Sequence, residues 1–286
     1  MQNILVPTDF SNDAYNALYY ASKLFKSKAV NFYLINAYNE STPLISRSID
    51  IGNGDGARKG LLEQLKDESN EGLKHTYHRI NLDNKCPKHK YKMISKKMDL
   101  IEAISQAIDE HEIDLVVMGN EGKTSSIGVY LGSTTTKTMA SVKKCPILAV
   151  PMNADFKVPY EIAFATNYKR PYDAEVLDPL RKMATFCGSA IRIVHINEEE
   201  HLNKVQESNL KTLRAYLDPM ENSVHWMPNF TSKTKAIQVF LEELGIGMLT
   251  MVNYEHSFLE NLLHEPIIKK LTFNIDVPIL VIPGTK

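Results

Sequence analysis

The residues best suited to chemistry are a set of glycines, hydroxyls and one early acid, spaced as a phosphate-bearing ligand would require. Met118-Gly119-Asn120-Glu121-Gly122 is followed, after nine intervening residues, by Gly132-Ser133-Thr134-Thr135. Glycine where a strand opens into a loop lets the backbone approach a ligand and adopt positive φ. Gly132 and Ser133, directly before a helical pattern, offer backbone N–H groups and a cap hydroxyl, a combination that seats an anion. The same spacing also suits two ordinary turns and an ordinary helix cap, so both readings stand on these residues alone. Upstream, Val6-Pro7-Thr8-Asp9-Phe10-Ser11 ends an apolar run on an acid. The Asp9 carboxylate can accept from a ribose or an adenine, or serve as a local turn and helix cap. Two familiar nucleotide patterns fail: Gly122-Lys123-Thr124 looks like the end of a P-loop, but its first glycine would fall at Val117, and no GxGxxG follows Pro7.

Placing these residues requires strands that end where the loops begin. The patterning predicts a strand over 4–7 and a helix carrying Ala14, Ala17, Leu18, Ala21, Leu24 and Phe25 at helical spacing. A strand over 29–37, a charged helix over about 61–80 and a strand over 91–95 follow. Next come a helix over 100–110, a strand over 115–118, a helix over about 133–142 and a strand over 147–150. The order then starts again, with strands over 162–165, 190–196, 224–227, 248–252 and 279–282 and helices over about 199–217 and 235–244. Ala165-Thr166-Asn167-Tyr168 echoes Pro7-Thr8-Asp9-Phe10, and Val277-Pro278-Ile279-Leu280-Val281-Ile282-Pro283 echoes Cys145-Pro146-Ile147-Leu148-Ala149-Val150-Pro151. This is an internal duplication, giving expected domains of 1–152 and 158–286 joined by a short linker. Alternating strands and helices predict parallel sheets with helices on both faces, and ligands at the carboxyl ends of the strands.

Composition narrows the function. The chain has 286 residues, 34 acidic against 33 basic side chains, a net charge of -1 and 43% hydrophobic residues. Near neutrality argues against a nucleic-acid partner. No apolar run approaches the roughly 20 residues that span a membrane, and no signal-peptide core precedes Asp9, so an intracellular, soluble chain without a membrane partner is expected. Three scattered cysteines, Cys86, Cys145 and Cys187, read as thiols of a reducing compartment.

On the residues quoted above, the chain resembles the universal stress proteins in their tandem, two-domain form. The family's Gly-x2-Gly-x9-Gly-(Ser/Thr) pattern stands intact as Gly119, Gly122, Gly132 and Ser133, with matching opening and closing segments at 6–11 and 145–150. The resemblance implies two Rossmann-like α/β domains, each a five-stranded parallel sheet of order 3-2-1-4-5 flanked by helices. It also implies pairing of the two domains through the strands near Ile147 and Ile279. It places adenosine against Asp9 and Ala37, with Pro7 and Thr8 beside them, and phosphates on the glycine loop of Met118, Gly119, Glu121 and Gly122. Gly132, Ser133, and Thr134 or Thr135 would hold the phosphates, and Mg2+ or Mn2+ would be held mainly by the phosphates. The implied function is that of a cytoplasmic, ATP-binding stress-response or signalling protein with no efficient catalytic activity. The alternatives are a slow ATPase or nucleotide-dependent phosphotransferase, and a purely structural partner-binding module; a homodimer or a further protein partner also stays open.

The second copy departs from the pattern. Asn167 replaces Asp9, the loop after the fourth strand reads Val252-Asn253-Tyr254-Glu255-His256, and no glycine lies between Gly247 and Gly284. Larger side chains and Glu265 near the seat oppose a triphosphate, so this copy is expected not to bind ATP. Phe258, Leu259, Leu262 and Leu263 form a helical apolar stripe suited to a core or to a partner. His75, His78, Cys86 and His89 are metal-capable but match no zinc spacing, so no metal site is assigned. Lys85, Lys88, Lys90, Lys92, Lys96 and Lys97 read as a solvated basic face. His195 has no recognisable acid or nucleophile beside it, and Cys145 and Cys187 read as inert core thiols.

Overall fold

A computed structural model describes residues 2–39, 41–42, 55–120, 132–197, 201–228, 233–254 and 276–284. The first copy contributes β1 (Asn3–Pro7), α1 (Asn12–Leu24), β2 (Val30–Tyr38), α2 (Asp55–Asp83), β3 (His89–Lys97), α3 (Leu100–His111), β4 (Leu115–Gly119), α4 (Ser133–Ser141) and β5 (Ile147–Val150). The second contributes β6 (Glu161–Ala165), α5 (Ala174–Cys187), β7 (Ala190–Asn197), α6 (Lys204–Leu217), β8 (Asn222–Pro228), α7 (Lys233–Glu243), β9 (Met248–Asn253) and β10 (Ile279–Pro283). The central strands are continuous apolar runs because helices cover both faces: every residue of β4 and β5 is buried. β3, at one end of its strand order, instead carries Lys90, Lys92, Lys96 and Lys97, a composition that discourages further pairing. Lys92 donates to the Tyr33 hydroxyl, and Lys96 pairs with Glu110 at 3.4 Å.

Helix starts follow their caps. Ser11, Asp99 and Asp173 cap α1, α3 and α5 through their side chains. The expected helix over 199–217 starts only at Lys204, because Asn203 and Gln206 form a reciprocal capping box that sets its first turn. Helix α5 is absent from the periodicity reading and holds Pro179 within it.

Residues 1–119 and 120–286 form two compact units. The first has strand order β3-β2-β1-β4, with β1–β2, β1–β4 and β2–β3 all parallel. In the second unit, β8-β7-β6-β9-β10 reads as 3-2-1-4-5, all parallel. Both copies are Rossmann-like, with flanking helices. The contact division falls at 119/120, ahead of the sequence joint at 152–158, and places β5 in the second unit. This strand runs antiparallel to β10, with Ile147, Leu148 and Ala149 opposite Val281, Leu280 and Ile279. Leu148 and Leu280 are both fully buried. The expected intramolecular pairing through the last strands is therefore present in one chain.

Candidate functional site

In the first unit, the parallel register brings the carboxyl ends of three strands to one level. Pro7 of β1 lies opposite Ile35 of β2, and continuing the β1–β4 register from Leu5 and Val116 sets Pro7 level with Met118. Beyond Pro7 the chain turns sharply. Thr8 N–H donates to Ile35 O at 2.9 Å, Asn36 Nδ2 donates to Thr8 O at 2.7 Å, and Phe10 takes φ 65° with its N–H on Thr8 Oγ1 at 3.0 Å. The turn leaves Asp9 exposed. Ser11 N–H (3.0 Å) and Ser11 Oγ (2.5 Å) both donate to Asp9 Oδ1, and Ser11 in turn caps α1. Ala37 lies two residues past Ile35, half-buried on β2 opposite Lys96. Pro7, Thr8, Asp9, Ala37 and Met118 thus gather at one end of this unit. Asn36, which fixes the turn, is not among the residues singled out from the sequence.

Gly119 has a different reason for being glycine than ligand approach. A Cβ there would lie 1.9 Å from Asp13 Oδ2, so the space beside its Cα is filled by a buried carboxylate of α1. Glu121 and Gly122 lie outside the described residues.

In the second unit, Gly132 is the N-cap of α4 with φ -55°, a conformation open to any residue, so no positive φ is needed there. Its N–H donates to Asn120 O, and Asn120 N–H donates to Val150 O at 3.1 Å. Unlike Ser11, Asp99, Asp173 and Asn203, Gly132 brings no side chain to the first-turn N–H groups. Ser133 and Thr134 are exposed, whereas Thr135 is buried with Thr138 and Met139 on the packed face of α4. A helix start with exposed hydroxyls and no side-chain cap suits an oxyanion.

The second copy repeats the β1–α1 turn almost bond for bond. Thr166 N–H donates to Val194 O at 3.0 Å, Tyr168 N–H to Thr166 Oγ1 at 3.0 Å, and Tyr168 takes φ 55°. Asn167 Oδ1 accepts from Lys169 N–H at 3.0 Å, as Asp9 Oδ1 does from Ser11. His195 stands where Asn36 does, its Nδ1 bonded to Thr166 O at 2.9 Å, and it clamps the turn as Asn36 does. What differs is the covering. Tyr168 is 0% exposed and stacks on His195 at 4.8 Å, with Trp226 edge-on to His195 at 5.2 Å. Gln206 and Asn209 of α6 donate to the carbonyls of Asn167 and Tyr168 at 2.9 and 2.8 Å. At the loop matching Glu121, the Tyr254 hydroxyl donates to Pro171 O at 3.0 Å, and burial pushes its pKa up to about 12. The stripe Phe258, Leu259, Leu262 and Leu263 lies outside the described residues, as does Glu265.

The metal-capable residues are engaged separately. His89 Nε2 donates to Phe25 O at 3.1 Å, Cys86 Sγ donates to Lys26 O at 3.6 Å, and His75 and His78 are exposed on α2. Among the described residues, no three His, Cys, Asp or Glu side chains are grouped to hold a metal ion. No helix among them is long and apolar enough to cross a membrane.

Universal stress protein MJ0577 from Methanocaldococcus jannaschii is 26% identical over 153 residues, which is 52% of this chain and 94% of that protein. A universal stress protein from Archaeoglobus fulgidus matches 98% of this chain and 97% of its own at 16% identity and a TM-score of 0.65, sharing the fold over both copies. A universal stress protein solved in complex with cAMP matches 52% of this chain and 96% of its own, at 21% identity and a TM-score of 0.36. The model of the universal stress protein family matches residues 1–151. That match takes in more than half of the 286 residues, and the chain belongs to the universal stress protein family.

Proposed function

We propose that this protein binds ATP as a stress-response or signalling protein, with one nucleotide site in the first copy and none in the second. The observation that carries this reading is the contrast between two turns of the same backbone geometry. The turn at Thr8-Asp9-Phe10 presents an exposed carboxylate, while the turn at Thr166-Asn167-Tyr168 is covered by an aromatic stack and by two α6 amides. In this reading Asp9 accepts from the ribose or the adenine, and the uncapped start of α4 with Ser133 and Thr134 receives phosphate. A divalent ion bound with the nucleotide offsets its phosphate charge. Neither role demands a basic composition, because backbone N–H groups supply the donors. The proposed site residues are Pro7, Thr8, Asp9, Ala37 and Met118, together with the backbone of Gly119 and with Gly132, Ser133 and Thr134.

Calorimetric titration of nucleotide-stripped protein with ATP and magnesium is expected to give one site per chain. Asp9→Ala, which removes a charged acceptor, should weaken binding by roughly 10- to 100-fold. Absence of binding at millimolar ATP, in a sample whose circular dichroism shows it folded, would sink the proposal.

A further inference from the structure

Helix α4 is poorly supported by its own sequence. Its nine residues open on Ser-Thr-Thr-Thr, hydroxyl and β-branched side chains of modest helix propensity. Gly132 offers no capping side chain, and neither the first nor the last turn carries a charge matched to the helix dipole. A helix this short is marginal by itself, so tertiary contacts must hold it. One face does so by burying Thr135, Thr138 and Met139.

The carboxyl end has a second support, and it comes from the other copy. The last four carbonyls of a helix have no partner within it. Here Val142 N–H closes on Thr138 O at 2.9 Å, and the next carbonyl, Met139 O, accepts from Asn253 Nδ2 at 2.7 Å. Asn253 is the final residue of β9, and its backbone is held against β10: it lies opposite Pro283, and Gly284 N–H donates to Asn253 O at 3.2 Å. β10 also pairs with β5, the strand into which α4 leads. The second copy therefore holds both the carboxyl end of α4 and the strand that follows it.

The register gives this contact a history within the sequence. With Ile4 opposite Leu115 and Ile162 opposite Met248, Asn253 occupies the place of Asn120. Around it, the positions of Gly119 and Gly122 have become Val252 and Glu255, yet the asparagine stays.

We propose that Asn253 is a positioning residue: the second copy uses it to cap α4 from outside, and so holds the Gly132–Ser133 seat at the opposite end of that helix. Nine residues span only about 13 Å, so a bond at one end constrains where the other end points. The coupling to ligand rests on the nucleotide reading given above, whereas the capping rests on the α4 geometry alone.

The test uses the full chain and two variants. Asn253→Ala removes the side chain, and Asn253→Asp keeps its shape but replaces the donor with a negative charge facing a carbonyl. Amide hydrogen exchange is measured first without nucleotide. In both variants the α4 amides should exchange about three- to tenfold faster, the value of one lost hydrogen bond, with the aspartate at least as fast as the alanine. The β1 and β2 amides should keep their wild-type rates. ATP affinity, read by calorimetry, should fall by a similar factor with the stoichiometry unchanged. Unchanged α4 exchange, an aspartate variant indistinguishable from wild type, or acceleration spread equally over β1 and β2 would each overturn the capping role. Faster α4 exchange with wild-type ATP affinity would overturn the coupling. If the wild-type chain binds no ATP, the nucleotide reading falls and the coupling with it, while the exchange rates still decide whether Asn253 caps α4.

Discussion

At the scale of single residues, side chains that look like ligand contacts divide into those facing solvent and those already used by the fold. Gly119 belongs to the second kind, since Asp13 occupies the space a Cβ would need. Gly119→Ala should destabilise the protein by about 1–3 kcal/mol through overpacking. Asp13→Ala in the same chain should recover part of that loss, and a double-mutant cycle in urea measures it; strictly additive effects would separate the two residues. His89 carries a pH signature. Its burial holds the imidazole below its ordinary pKa, against the opposing pull of the Phe25 carbonyl. The fold thus prefers the neutral ring, so this contribution is complete above the unfolded pKa of about 6.5 and is lost as pH falls through it toward the lower folded value. Tm should drop on acidification across that window, and His89→Gln should flatten part of the drop; an unaltered slope would remove His89 from the account. Cys187 is a parallel case. Burial pushes its thiol up to about 12, so a thiol reagent at neutral pH should react with it far more slowly in native than in unfolded protein.

At the scale of elements, the two β–α turns share a backbone and differ in what covers them. Tyr168 is the centre of the second copy's cover, packed with His195 and Trp226 and bonded through its carbonyl to Asn209. Tyr168→Ala should cost about 3–5 kcal/mol as a large cavity in a well-packed site. Trp226 is the chain's sole tryptophan and is 46% exposed, so its fluorescence reports the loss of the stack directly. An unshifted emission maximum would mean that Tyr168 does not order this cluster. Much of this scale was legible in advance: strand positions followed from continuous apolar runs, and the echo of Pro7-Thr8-Asp9-Phe10 in Ala165-Thr166-Asn167-Tyr168 marked the repeated turn. The clamps Asn36 and His195 were not legible. Each acts on a carbonyl across a strand pair, at a sequence separation of 28 or 29 residues, and no local spacing encodes that contact. The start of α6 was misplaced because apolar periodicity does not register a capping box.

At the scale of the whole molecule, the duplication supplies within one chain the paired last strands that the family resemblance implied. Leu148 and Leu280 face each other in that pairing, both fully buried. Leu280→Lys should unfold or strongly destabilise residues 120–286, because it places an unpaired charge in an apolar strand pair. Native-state hydrogen exchange should show β5 and β10 losing protection together, and independent behaviour of the two would contradict a shared sheet. By itself the sequence determined the number of copies, their α/β class, the order of elements and the loss of the glycine pattern from the second copy. These are carried by local periodicity and by residue identity, which need no knowledge of distant contacts. Only the tertiary structure decided that Gly119 makes room for Asp13, that His195 clamps a turn, and that Asn253 reaches α4. Each of those depends on groups 29 to 114 residues apart meeting in space, and the packing of the folded chain alone brings them there.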